Sequence, residues 1–196
     1  MIKYYKNETC IAFWSLFVEC DTYENEAVDF APMCINIVKE LDPTRMTVHA
    51  SNIPEEDRTY DYFDVVGINY WSGWYHGETI EQGSKMLDRV ASKYPDKPVL
   101  ITSGGFEGIY GHHSPRKNEK WSEEMQAEYL VNVSRMYLSK DYIIGEIIWT
   151  FNDFRVSPWF KSNEGGQDFA SWVLRPMEMN NKGVVDLFRR TKLSYH

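Results

Sequence analysis

VVGINYWSGWYHGETIEQGSKMLDRVASKYPDKPVLITS, residues 65–103, decides the fold. It opens on Val65–Trp71, a short apolar run with no polar alternation. Ile80, Leu87, Val90 and Ala91 then recur at helical spacing through residue 94, and Lys97-Pro98 leads into a second apolar run, Val99–Ser103. Strands apolar on both faces belong to sheets covered on both faces, and a helix between two of them is the crossover of a parallel βαβ unit.

The same grammar extends outward. Upstream, Arg45–Ser51 reads as a strand, and Asn52–Asp61, acidic and Pro-containing, reads as a loop with room for a helical turn. Residues 25–41 place Ala27, Phe30, Ala31, Cys34, Ile37, Val38 and Leu41 on a helix that ends before Asp42-Pro43, and Cys10–Leu16 forms another apolar strand. Downstream, a Gly- and His-containing loop runs to Trp121. Ser122 is a helix N-cap, with Glu123 and Glu124 favourably placed in the first turn. Tyr142–Thr150 is the last clear strand, and irregular aromatic-rich sequence follows. Five strands and three helices predict an α/β fold with a parallel sheet. A closed (β/α)₈ barrel takes about 250 residues, so a chain of 196 residues holds either an open sheet or part of a barrel.

Composition narrows the function. The net charge of −8 argues against nucleic acid and anionic membrane surfaces, and no window is long and apolar enough to span a bilayer. MIKYYKNETC has no apolar segment of signal-peptide type, which with the three unpaired cysteines suggests a reducing, cytoplasmic setting. Cys10, Cys20 and Cys34 are expected to be reduced and buried or half-buried, with no metal role. His49, His112 and His113 are expected to serve loops or packing. Aromatics make up 15% of the chain, and they either fill a core or stack on sugar rings.

In αβ folds the ligand meets the C-terminal strand ends. Those ends carry Trp14–Glu19, Ser51-Asn52, Asn69–Tyr75, Ser103–Glu107 and Trp149–Asp153. Carboxylates among aromatics suit glycosidic cleavage, where one acid protonates the leaving oxygen and a second carboxylate supports the oxocarbenium-like centre.

At this point the chain resembles a known family. IAFWSLFVECD (11–21) resembles the fourth-strand motif of family 2 glycoside hydrolases, Trp-Ser-x-x-Asn-Glu, which ends on the general acid/base. INYWSGWY (68–75) is similar to their sixth-strand segment, KPVLITS (97–103) to the approach to the nucleophile, GEIIWTFNDF (145–154) to strand eight, and NNKGVVDLFRR (180–190) to the Asn-x-Lys-Gly segment. The resemblance implies a partial TIM (β/α)₈ barrel covering roughly strands four to eight, within one domain over 1–196, of β-glucuronidase or β-galactosidase type. The first three strands and the N-terminal β-sandwich domains would lie outside it.

The resemblance also implies roles. Glu19 falls on the acid/base, whose pKa an aromatic, partly desolvated site would raise. The residue before it, Asn in the family and a ligand of the sugar 2-hydroxyl, is Val18. Ser103 stands where the nucleophilic Glu is expected, and a serine there needs its own activating base. Glu107 is either a displaced carboxylate or an ordinary loop residue. Trp149 would floor the sugar site unless it is a core Trp, with Asn69 and Trp71 beside the substrate. Asn180 and Lys182 match the pair that grips a glucuronate carboxylate. No cofactor or metal is implied. The reading is a retaining β-glycosidase impaired at two positions; the alternative is an inactive barrel fragment that still binds carbohydrate. Half a barrel would expose sheet edges and self-associate, or require the missing half.

Overall fold

A computed structural model describes residues 1–75, 77–116, 119–156 and 176–196. Of the irregular aromatic-rich sequence anticipated after Thr150, residues 157–175 lie outside the described residues. The chain forms two compact units that interleave along the sequence. The first holds Met1–Tyr70, Glu81–Ser103 and Tyr137–Ile147, and the second Trp71–Ile80, Gly104–Met136 and Ile148–His196.

The first unit is organised by a five-stranded parallel sheet in sequence order: β1 (Phe13–Val18), β2 (Met46–Ser51), β3 (Val65–Asn69), β4 (Val99–Gly104) and β5 (Ile143–Ile148). Helices α2 (Asn25–Leu41), α3 (Ile80–Lys93) and α4 (Glu123–Leu138) alternate with the strands, after a short α1 (Ile2–Tyr5). This is the parallel αβ sheet that the spacing predicts and the partial barrel that the resemblance implies. The β3–α3–β4 unit lies within two residues of its expected bounds, because each boundary carries a local signal and β3 is buried throughout.

On one face of the sheet Val48, Val65 and Leu100 pack together with Phe13. Elsewhere in this unit Phe17, Phe63 and Tyr60 surround His49, with Phe63 and Tyr60 less than 5 Å from its ring centroid. Gly67 is required here, since a Cβ would strike the His49 carbonyl. The loop residues 52–61 are tied down by the buried Tyr60 and by polar contacts at Asp57. Asp57 accepts hydrogen bonds from Thr22 Oγ1 (2.5 Å) and from the Thr59 backbone (2.8 Å) and hydroxyl (2.9 Å), and its Oδ2 lies 3.1 Å from His49 Nε2. Burial alone would raise the Asp57 pKa, but these donors outweigh it and bring it down to about 2.

β1 begins three residues later than expected and slips in register between Ser15 and Val18. The approach to it is held by a side chain instead of a strand ladder. The Arg45 guanidinium donates to the carbonyls of Lys6, Glu8 and Ile11 and to Asp42, which also accepts from Trp14 Nε1 at 2.9 Å. Cys10 and Cys20, expected to be at least half-buried, are exposed, because they fall in the turns before and after β1; Cys34 is half-buried and all three thiols are free.

The second unit is built on α4 up to Met136, the segments after β4 and β5, and a two-stranded antiparallel ribbon, β6 (Phe154–Arg155) with β7 (Met179–Asn180). Ser122 caps α4 as anticipated, its hydroxyl accepting the Met125 N–H at 3.2 Å. Trp74, Phe106, Trp121 and Tyr129 form its aromatic core. The buried Gln126 amide donates to the carbonyls of Phe106, Asn181 and Gly183, fastening three chain segments with one side chain. Glu123 does more than favour the helix N-terminus: its carboxylate accepts the N–H groups of Gly111 and Leu193, each at 2.6 Å.

Candidate functional site

In the first unit, Glu19 stands at the C-terminal end of β1, in the left-handed region at φ 51°. Its N–H donates to Ala50 O at 2.8 Å, which extends the β1–β2 pairing by one step. Among the described residues Glu19 is exposed, past the last strand residue and in a bend. Its Oε1 accepts a 2.8 Å hydrogen bond from Asn69 Nδ2. Asn69 is itself buried, and its Oδ1 accepts from Thr102 Oγ1 at 2.8 Å. Asn69 thus touches the acid/base candidate directly. Val18 is 65% exposed at the same strand end.

Ser103 lies opposite Asn69 in the β3–β4 register and is 7% exposed. Its carbonyl accepts the Tyr70 N–H at 2.7 Å. Among the described residues no His, Asp or Glu hydrogen-bonds the Ser103 hydroxyl. A serine without a base is a poor nucleophile at neutral pH.

The second unit carries Trp71, Trp149, Asn180 and Lys182. Trp71 is half-buried and Trp149 is 45% exposed, so Trp149 is no core residue. The Trp149–Thr150 peptide is cis, and Trp149 N–H donates to Gly104 O at 2.8 Å. Gly105 makes this approach possible: a Cβ there would collide with the Trp149 carbonyl and touch the Trp71 ring. Asn180 is buried and accepts the Lys182 N–H through its own side chain, a turn that fixes the Asn-x-Lys spacing.

Lys182 is 1% exposed. Its ammonium lies about 5 Å from the ring centroids of Trp71, Trp74 and Tyr75, 3.1 Å from the Tyr75 hydroxyl, and 2.9 Å from Glu107 Oε1. Glu107 is therefore neither an ordinary loop residue nor an open carboxylate. It is fully buried, its Oε2 accepts Asn181 N–H at 2.9 Å, and a buried ammonium needs such a partner. A second buried pair stands in this unit, Asp153 with Lys192 at 2.7 Å, and Lys192 also donates to the carbonyls of Gly108 and Asn181. Burial pushes Asp153 up to about 6 and lowers Lys192, against the pull of their ion pair. His113 pairs with Glu124 at 2.8 Å on the surface, while His49 is buried, as loop and packing roles require.

Sequence pattern does not mark Thr102 or Lys192, and it offers Glu107 and Asp153 only as strand-end carboxylates, without their lysine partners. Thr102 sits in a strand, where its partner depends on the register of the neighbouring strand. The two acids find lysines 75 and 39 residues away, a pairing with no local signal.

The strand ends of this parallel αβ sheet bring together a carboxylate, an amide and a hydroxyl, at the end where αβ barrels meet their ligands. Comparison with known proteins gives the family. The family described as glycosyl hydrolases family 2, TIM barrel domain, matches residues 1–162, and the chain belongs to it. The β-glucuronidase of Streptococcus agalactiae is 32% identical over 166 residues, 80% of this chain and 28% of that protein. The crystal structure of a family 2 β-galacturonidase from Eisenbergiella tayi bound to galacturonate superposes on 100% of this chain and 33% of its own, with TM-score 0.85 and 33% identity. The β-D-glucuronidase of Dictyoglomus thermophilum superposes on 98% of this chain and 32% of its own, with TM-score 0.83 and 27% identity. The chain thus spans about a third of the length of the relatives it matches.

Proposed function

We propose that this chain is the C-terminal part of the catalytic barrel of a β-glycosidase for terminal β-D-uronides, one barrel domain over 1–196, with hydrolysis impaired at Val18 and Ser103. The observation that carries the reading is Glu19, an exposed carboxylate presented at a strand end in a left-handed turn and gripped by a buried amide. In the retaining reaction a carboxylate oxygen at position 103 would attack the anomeric carbon as the glycosidic C–O bond breaks. Glu19 would give its proton to the leaving oxygen. Water would then attack the glycosyl carboxylate, Glu19 taking its proton and the carboxylate leaving. Ser103 supplies no carboxylate, and among the described residues no base hydrogen-bonds its hydroxyl to make it an equivalent.

The uronide class is supported by the names of the relatives and by the Asn180-x-Lys182 spacing; Lys182 is buried against Glu107, so a sugar carboxylate would have to share that ammonium. Trp149 and Trp71 offer faces for the sugar ring. No cofactor is needed. The second reading, a non-catalytic remnant that binds carbohydrate, is favoured by the unactivated Ser103.

The deciding experiment is reversion of both positions, Val18→Asn with Ser103→Glu, in the full-length protein, assayed on aryl β-glucuronide, β-galacturonide and β-galactoside. Hydrolysis of the uronides by the double variant and not by the natural chain supports the reading. Hydrolysis of the galactoside alone removes the uronide assignment, and no hydrolysis removes the catalytic one.

A further inference from the structure

We propose that Asn69 and Thr102 are the positioning residues of the acid/base, acting on Glu19 in series; this rests on the reading of Glu19 just given. An amide can present either its oxygen or its NH₂ to a neighbour, and only the NH₂ suits a carboxylate. The acceptor-only carboxylate of Glu19 selects the orientation, and Thr102 Oγ1 braces the amide from its other side. At 2.8 Å from Asn69 Oδ1 the Thr102 hydroxyl donates to the amide oxygen while Nδ2 donates to Glu19 Oε1, again at 2.8 Å, so the amide is held at both ends. The three residues stand at the ends of β4, β3 and β1, so the relay crosses the sheet and ties the exposed acid to its rigid part.

The arrangement answers a specific mechanical need. Glu19 has left the strand ladder, and its side chain is exposed to water. An acid free to rotate would deliver its proton from a scatter of positions, and misplacement by about 1 Å can cost on the order of 100-fold in rate. A charge-assisted bond from a buried, pre-oriented amide restricts it. Thr102 acts only through Asn69 and touches no reacting atom.

A positioning role leaves a signature that a general loss of folding does not. Substrates with poor leaving groups require the proton from Glu19, whereas a 2,4-dinitrophenyl glycoside departs without it. In the full-length Val18→Asn/Ser103→Glu protein, Asn69→Ala should slow an alkyl or phenyl β-uronide by roughly 10- to 100-fold. The dinitrophenyl glycoside should slow by less than about 3-fold in its bond-breaking step. The isosteric Thr102→Val should show the same split at roughly 3- to 10-fold, and Thr102→Ser, which restores the hydroxyl, should reverse it. Equal losses on both substrates, or no loss on either, overturn the proposal.

Crystal structures of the full-length natural protein and its Thr102→Val variant decide the same point without activity. Displacement or multiple positions of the Glu19 carboxylate in the variant support the relay, and an unmoved carboxylate overturns it. An inactive double revertant beside a displaced Glu19 would mean that the catalytic reading failed and the relay stands.

Discussion

Single residues carry much of the architecture in the second unit. Gly105 allows the Trp149 backbone to come within contact of its own, where a methyl group has no space. Gly105→Ala is expected to destabilise by ~3 kcal/mol or more, because the obstruction is backbone and cannot rotate away; chemical denaturation of the two proteins side by side measures it. The Glu107–Lys182 pair makes a sharper case. Both side chains are buried, so removing one strands the other's charge. Glu107→Gln or Lys182→Met alone should cost about 3–5 kcal/mol, and the double variant less than the sum. A urea-denaturation double-mutant cycle that comes out additive would show that the charges are not coupled.

At the scale of elements, two devices set how helices and loops attach. Ser122 caps α4 and anchors its first turn, so Ser122→Ala should lower stability by ~1 kcal/mol. Far-UV circular dichroism during thermal unfolding would register it. The loop before β3 hangs on Asp57, and its pH dependence follows from the sign of the shift. Asp57 titrates lower in the folded chain, about 2, than in the unfolded chain, so its contribution is complete above about pH 4 and is lost as pH falls through 2. An acid-unfolding midpoint in that window should disappear in Asp57→Asn, which would already be destabilised at neutral pH. If the midpoint is unchanged, other carboxylates govern acid unfolding.

For the whole molecule, the apolar surface is the controlling quantity. Phe30, Met33 and Ile37 share one face of α2 and are all more than half exposed, and Ile144 and Ile147 stand exposed on β5, an edge of the sheet. Unpaired parallel edges and apolar helix faces invite association. The 196-residue chain on its own is expected to sediment as oligomers at micromolar concentration. Met33→Lys with Ile37→Glu should shift it toward monomer, whereas a sharp monomer peak for the unaltered chain would sink the expectation.

The sequence by itself determined the parallel αβ sheet, the order of its elements and the position of Glu19 at a strand end. Those features follow from short-range causes: apolar runs for strands buried on both faces, helical periodicity between them, Pro98 and Ser122 at boundaries. Residue identity alone also marked Val18 and Ser103 as departures from the family pattern. Only the tertiary structure decided that Asn69 faces Glu19 and is braced by Thr102, that Glu107 is buried against Lys182, and that Cys10 and Cys20 lie open. Each of these depends on which distant segment arrives beside a side chain. A hydrogen bond or ion pair spanning 33 to 75 residues is set by strand register and loop path, and neither is written in the local run of residues at either end.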